Sequence, residues 1–138
     1  FYYALIYGTP IRERETLEDY LYKDGRENLS LIVNATFPDA KKAILNYRHC
    51  STLMVLEEGE EVSLMEIELL TGRHHQIRVQ LSHAGLLICG DAKYGKAGGP
   101  LCLCAYKVIF SHPRTGKRME FEANPTFPVP GHHTTDLI

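Results

Sequence analysis

Residues 71–95 read TGRHHQIRVQLSHAGLLICGDAKYG, and their polar side chains are of the kinds that bind anions and move protons. Two arginines, three histidines and two glutamines sit among spaced apolar residues. Ile77, Leu81 and Ala84 recur at i, i+4 and i+7, the inward stripe of a helix, although Ile77, Val79 and Leu81 also alternate as in a strand. The unbroken pattern over residues 74–84, with Gly85 where a C-cap belongs, favours the helix. There Arg78 and His74 share a face offset from the apolar stripe. An arginine so placed can hold a carboxylate through two parallel hydrogen bonds, whereas one that only solubilises a helix looks the same in sequence. Arg73, at the helix start, suits a phosphate or substrate contact, with a solvated turn residue as the alternative. His75 and Gln76 suit hydrogen bonds that position the loop or a cleft. Asp91 reads as a turn organiser, because Asp between glycines bonds its own backbone.

The elements that must carry these residues are legible in outline. Residues 1–8 form a strand ended by Gly8-Thr9-Pro10. Thr16 and Asp19 resemble a capping box, and Leu17, Tyr20 and Leu21 fall at i, i+3 and i+4, so a short helix is expected over residues 15–23. Residues 31–33, 40–49, 51–57 and 61–70 are strand candidates, with a turn at Glu58-Gly59-Glu60. Two more strands, over residues 101–111 and 117–123, flank a turn containing Pro113 and Gly116. The tail from Asn124 reads as irregular.

Composition is that of an ordinary globular domain, 44% hydrophobic and 23% charged, and no apolar run approaches the roughly 18 residues of a membrane span. The net charge of −2 argues against nucleic acid, but its distribution does not. Residues 71–118 hold eight Lys and Arg against Asp91 alone, a balance of +7 that leaves −9 for the rest. Arg73, Lys93 and Lys96 belong to that zone, which fits a phosphate footprint; a solvated basic face is the alternative. None of the four cysteines forms a C-x-x-C pair, so reduced thiols and a cytoplasmic setting are expected. Phe1 opens the chain inside a strand without an initiator Met, and the sequence is read as a piece of a longer protein.

In order, residues 72–95 resemble the G-R-T-H-Q-I-R-V-H-L…G-x-P-I-x-G-D-x-x-Y-G signature of the RluA-type RNA pseudouridine synthases. Tyr2, Ala4, Ile6 and Gly8 are similar to that family's K-x-Y-x-A-x-V-x-G strand. The resemblance implies an α+β fold, an antiparallel or mixed sheet with a few flanking helices. Residues 1–138 would then be the C-terminal portion of the catalytic domain. It implies RNA, ribosomal or transfer, as partner, and neither cofactor nor metal. By the same resemblance Arg78 pairs with the catalytic aspartate, Tyr2 lies against the target base and shares in removing its proton, and Leu103 walls the uracil pocket. Core packing explains Tyr2 and Leu103 as well. His74 and Gln80 depart from the family's usual Thr or Ser and His, a change expected to bear on RNA contacts.

The aspartate itself is not here. The family carries it in an H-R-L-D-x-x-T-S-G motif before the Tyr2 strand, and Asp19, Asp24, Asp39, Asp91 and Asp136 all lie in other contexts. The chain alone is therefore expected to be inactive. A non-catalytic RNA-binding or assembly module is the alternative. A metalloenzyme built on His74, His75, His83 and the cysteines is disfavoured, because His75 and His83 are two helical turns apart.

Overall fold

The computed structural model describes residues 1–54, 59–96, 99–123, 126–128 and 134–136. Six strands form one sheet: β1 (Tyr2–Tyr7), β2 (Arg14–Asp24), β3 (Leu29–Val33), β4 (Lys41–Met54), β5 (Glu61–Leu69) and β6 (Leu103–Ala105). Their order is β3-β2-β4-β5-β1-β6, and every pairing is antiparallel. Beside it stand a hairpin, β7 (Lys107–Ser111) with β8 (Arg118–Glu122), and a short ladder, β9 (Thr126–Pro128) with β10 (Thr134–Asp136). Among the described residues one helix, α1 (Gln76–His83), flanks the sheet where a few were expected.

Residues 15–23 are not helical but belong to β2, which pairs with β3 on one side and β4 on the other. Leu17, Asp19 and Leu21 face α1 while Glu18 and Lys42 pair on the opposite face, so the period is two. Sheet pairing on both edges outweighs a weak capping signal. The tail is not wholly irregular, since it contributes β9 and β10. The two strands expected over residues 40–49 and 51–57 are, through Met54, the continuous β4; residues 55–57, with Glu58 of the expected turn, lie outside the described residues. The register slips between His49 and Ser51, leaving Cys50 as the extra residue of a bulge. That single insertion switches which face β4 presents: Leu45 and Tyr47 pack beneath α1, whereas Leu53 packs on the far side with Leu5, Val62 and Leu64.

α1 closes the near face. Ile77 and Leu81 sink into a cluster with Ala4, Ile6, Leu45, Met65 and Ile67. The helix ends in a Schellman motif: the Leu86 N–H bonds the Leu81 carbonyl and the Gly85 N–H bonds that of Ser82, with Gly85 at φ 80°. Gln80 is fully buried. Its amide Nε2 lies 2.9 Å from Asp19 Oδ2 and 3.1 Å from the Ala43 carbonyl, tying α1 to β2 and β4. Those acceptors fix which end of the amide is nitrogen and leave Oε1 without a partner among the described residues.

Candidate active site

The N-terminus of α1 is assembled by its own side chains. His75 caps it in the left-handed region at φ 52° and gives no side-chain capping bond. Gln76 takes over that task from inside. Its Oε1 accepts from Thr71 Oγ1 and the Arg73 N–H, both at 2.9 Å, and its Nε2 donates to the Ile44 carbonyl at 3.1 Å. Gln76 is buried and acts by position. The His74 and His75 rings stack with centroids 3.8 Å apart. Ser30 Oγ donates to the His74 carbonyl at 2.7 Å and lies 2.9 Å from His74 Nδ1. One hydroxyl carries one proton, so His74 Nδ1 is the donor in the second contact.

Tyr94 is the hub of this end. Its hydroxyl accepts from the Ser30 N–H at 2.8 Å and lies 2.8 Å from His75 Nδ1. The direction of that contact follows the His75 tautomer, since a phenol oxygen can accept twice or donate once. Burial, followed by the charges of His74, Arg78 and Lys93, lowers the His75 pKa to about 4, with Asp91 opposing. Ser82 Oγ also holds the Tyr94 carbonyl.

Arg78 leaves α1 on the exposed side of this hub and makes a two-pronged pair with Asp91, Nε to Oδ2 at 3.1 Å and Nη2 to Oδ1 at 2.8 Å. Its guanidinium carbon sits 5.2 Å from the centre of the Tyr94 ring. Asp91 also accepts from the Tyr94 N–H at 3.1 Å, and its own carbonyl accepts from the Gly95 N–H. Burial pushes the Asp91 carboxyl up, but Arg78 and the Tyr94 N–H outweigh it and hold the pKa below the usual range. Gly90 is required just before it: a Cβ there would stand 2.0 Å from the Pro100 carbonyl oxygen. The expected turn role of Asp91 is present, together with a partner the sequence did not reveal. With its side chain 2% exposed, Asp91 cannot itself reach a substrate.

The other candidates spread over the surface. Tyr2 and Leu103 pack against the same cluster as Ile77 and Leu81, which puts them on the α1 side of the sheet, on the adjoining strands β1 and β6. Arg73 donates from Nε to the Lys42 carbonyl at 2.9 Å, and Lys93 Nζ reaches the Asn28 carbonyl at 2.8 Å. Lys96 instead lies over the Tyr7 ring, while Lys107 and Arg118 both pair with Glu120. The basic zone is therefore several surfaces. What sequence reasoning missed is Ser30, brought in by β3, and Tyr94 as the organiser; Tyr94 stands three residues after Asp91, whose carboxylate accepts its N–H. Among the described residues no three His, Cys, Asp or Glu gather as a metal site, and no helix is long and apolar enough to cross a membrane.

The chain matches known proteins along most of its length. It is 38% identical over 128 residues to an uncharacterised RNA pseudouridine synthase of Chloroflexus aurantiacus, covering 88% of this chain and 37% of that protein. It is 33% identical over 126 residues to another from Bacillus subtilis, covering 88% and 39%. A ribosomal large subunit pseudouridine synthase C of Rickettsia prowazekii is 31% identical over 131 residues, 91% of this chain and 41% of that protein. The chain thus spans about two fifths of these relatives. The fold matches human RNA pseudouridylate synthase domain containing 1 with a TM-score of 0.75 at 22% identity, over 99% of this chain and 61% of that one. Residues 1–83 match the RNA pseudouridylate synthase family model, and with that match over more than half its length the chain belongs to the RNA pseudouridylate synthase family.

Proposed function

We propose that this chain supplies the arginine-bearing side of a site that isomerises uridine to pseudouridine in ribosomal or transfer RNA. The reaction breaks the N1–C1′ bond, turns the uracil and forms C5–C1′; the C5 hydrogen leaves as a proton and N1 takes one up. Nothing is oxidised or reduced, so the balance needs no redox cofactor. The observation that carries the reading is the half-used fork of Arg78. Nε and one face of Nη2 are fixed by Asp91, while Nη1 has no partner among the described residues. A guanidinium held this way is preset to receive a second carboxylate without paying to orient itself. That carboxylate comes from an H-R-L-D-type segment outside these residues. Tyr2, half-buried on β1 with no partner for its hydroxyl among the described residues, offers a stacking face and a proton-handling group, and Leu103 beside it walls the base. Cys50, Cys89 and Cys104 are unbridged, which fits a cytoplasmic protein.

The loss of the C5 hydrogen gives the test. On RNA tritiated at uridine C5, a longer protein carrying the aspartate motif releases tritium to water, and the purified 138-residue chain releases none. Release by the chain alone would overturn the external carboxylate.

A further inference from the structure

A second basic site lies where the sequence did not look. A cleft of about 430 Å³ opens between β2, the β3–β4 turn and the loop before α1, and Lys23, Lys41, Arg73 and His74 line it against one acid, Asp39. Lys23 and Lys41 fall outside the basic zone of the sequence and arrive through strand pairing, Lys41 opposite Leu21 and Lys23 opposite Ser30. Among the described residues neither lysine has an ion-pair partner, and Arg73 is anchored at Nε with its terminal nitrogens unpartnered. Three lasting positive charges facing one negative leave the cleft short of an anion. The larger cleft, about 550 Å³, differs: there Arg14, Arg48 and the Phe1 ammonium meet Glu15, Glu66 and Glu68, so no positive charge is in surplus for a phosphate.

Tyr22 borders the basic cleft, but its ring turns to the other face of β2, the face of Glu18 and Lys42, and meets that of Phe37 at 5.0 Å. A ligand in the cleft therefore meets long cationic side chains and one imidazole on the α1 face, a lining that suits a phosphate carried on a flexible chain. We infer that this cleft binds a backbone phosphate of single-stranded RNA, apart from the uridine that reacts. In the sheet β2 stands three strand spacings from β1, about 14 Å, so this phosphate belongs to a nucleotide other than the one at Tyr2. The inference rests on RNA being the ligand of the family site.

The test uses the 138-residue chain and a short fluorescent single-stranded RNA, with affinity measured by anisotropy across a range of salt. Lys23→Gln with Lys41→Gln weakens binding about tenfold at moderate salt and flattens the slope of log affinity against log salt by about 0.7 for each phosphate no longer neutralised. Lys42→Gln, one residue away but paired with Glu18 on the other face, changes neither. Phe37→Ala, against Tyr22 on that same face, also changes neither. Unchanged affinity in the double variant, or no RNA binding by the chain, overturns the inference. Inorganic phosphate that shifts the His74 ring signals in NMR while RNA does not would identify a free-phosphate site and overturn it too. The isomerase reading is judged separately by tritium release. Turnover in the longer protein with silent lysines removes only the cleft, and RNA held by the lysines without turnover removes only the isomerase.

Discussion

Two arginine–carboxylate pairs in this molecule share their chemistry and differ in their surroundings. Arg78 and Asp91 meet through two aligned hydrogen bonds, with side chains 18% and 2% exposed. Arg118 and Glu120 meet through one contact at 3.1 Å on the β7–β8 hairpin, 67% and 36% exposed, and Glu120 shares itself with Lys107. At the surface, water screens the attraction and two long side chains lose freedom to hold one geometry. In the buried pair solvent has gone, so each charge depends on its partner and the partner's orientation is fixed. The difference teaches where function can be stored. Only the first pair can present a guanidinium in one orientation to something else.

The comparison breaks most visibly at Arg78. Arg78→Met strands a buried carboxylate and should cost about 3–5 kcal/mol, a large share of the stability of a domain this size. Adding Asp91→Leu should restore most of it, since an apolar pair of similar volume needs no counter-charge, although Asp91 also holds the Tyr94 N–H and some loss will remain. In a longer, active protein Arg78→Lys keeps the charge but loses the fork, and turnover should fall at least about a hundredfold with RNA affinity unchanged. Urea unfolding checks the first two and tritium release the third. Near-normal turnover in Arg78→Lys would end its role as a carboxylate partner.

How much of this was legible follows from how local each signal is. The strand at Tyr2–Tyr7 and the helix at Gln76–His83 were readable because each element's own pattern and its glycine stop suffice. Residues 14–24 were not, because Thr16, Asp19 and the Leu17/Tyr20/Leu21 spacing mimic a helix start, and only β3 and β4 on either side decide otherwise. Asp19 faces inward not as a cap but to meet Gln80, 61 residues away in sequence. The break in pattern at Cys50 was visible, yet a bulge and a strand end look alike without a partner strand. For the site, Arg78 stood out by residue type and spacing, whereas its Asp91 partner, 13 residues on, did not. Lys23 and Lys41 escape notice when charge is counted along the chain, because a cleft gathers charge across strands.

A finer difference between fold and unfolded chain is its response to pH. His75 is held neutral in the fold, its pKa lowered to about 4 by burial and neighbouring cations, against about 6.5 for the unfolded chain. Protons therefore favour the unfolded state between those values. Stability is full above about 6.5 and is lost as pH falls toward 4. His74 is shifted in the same direction and adds to the slope. Asp91, also lowered, keeps its contribution until pH drops below the ordinary carboxylate range, so it leaves this window untouched. His75→Asn tolerates the left-handed backbone and removes the titration. It should lower Tm somewhat at pH 7 through the missing bond with Tyr94, yet flatten the fall in Tm between about pH 7 and pH 5. An equally steep fall in the variant would place the titrating group elsewhere.

The smallest effect belongs to the surface pair. Arg118→Gln leaves Glu120 with Lys107 at 3.2 Å and with water, so nothing charged is stranded. The urea midpoint should not move beyond the scatter of replicate measurements, and moderate salt should erase any residue of it, because exposed pairs are screened within a Debye length of roughly 10 Å. The same salt should leave the cost of Arg78→Met nearly unchanged, since ions do not enter the space around a carboxylate that is 2% exposed. Run side by side, the two substitutions separate burial from charge as the source of the difference. If Arg118→Gln destabilised the chain as much as Arg78→Met, or if salt weakened both alike, the pairs would be equivalent. The case for Arg78 as a preset binding group would then lose its physical basis.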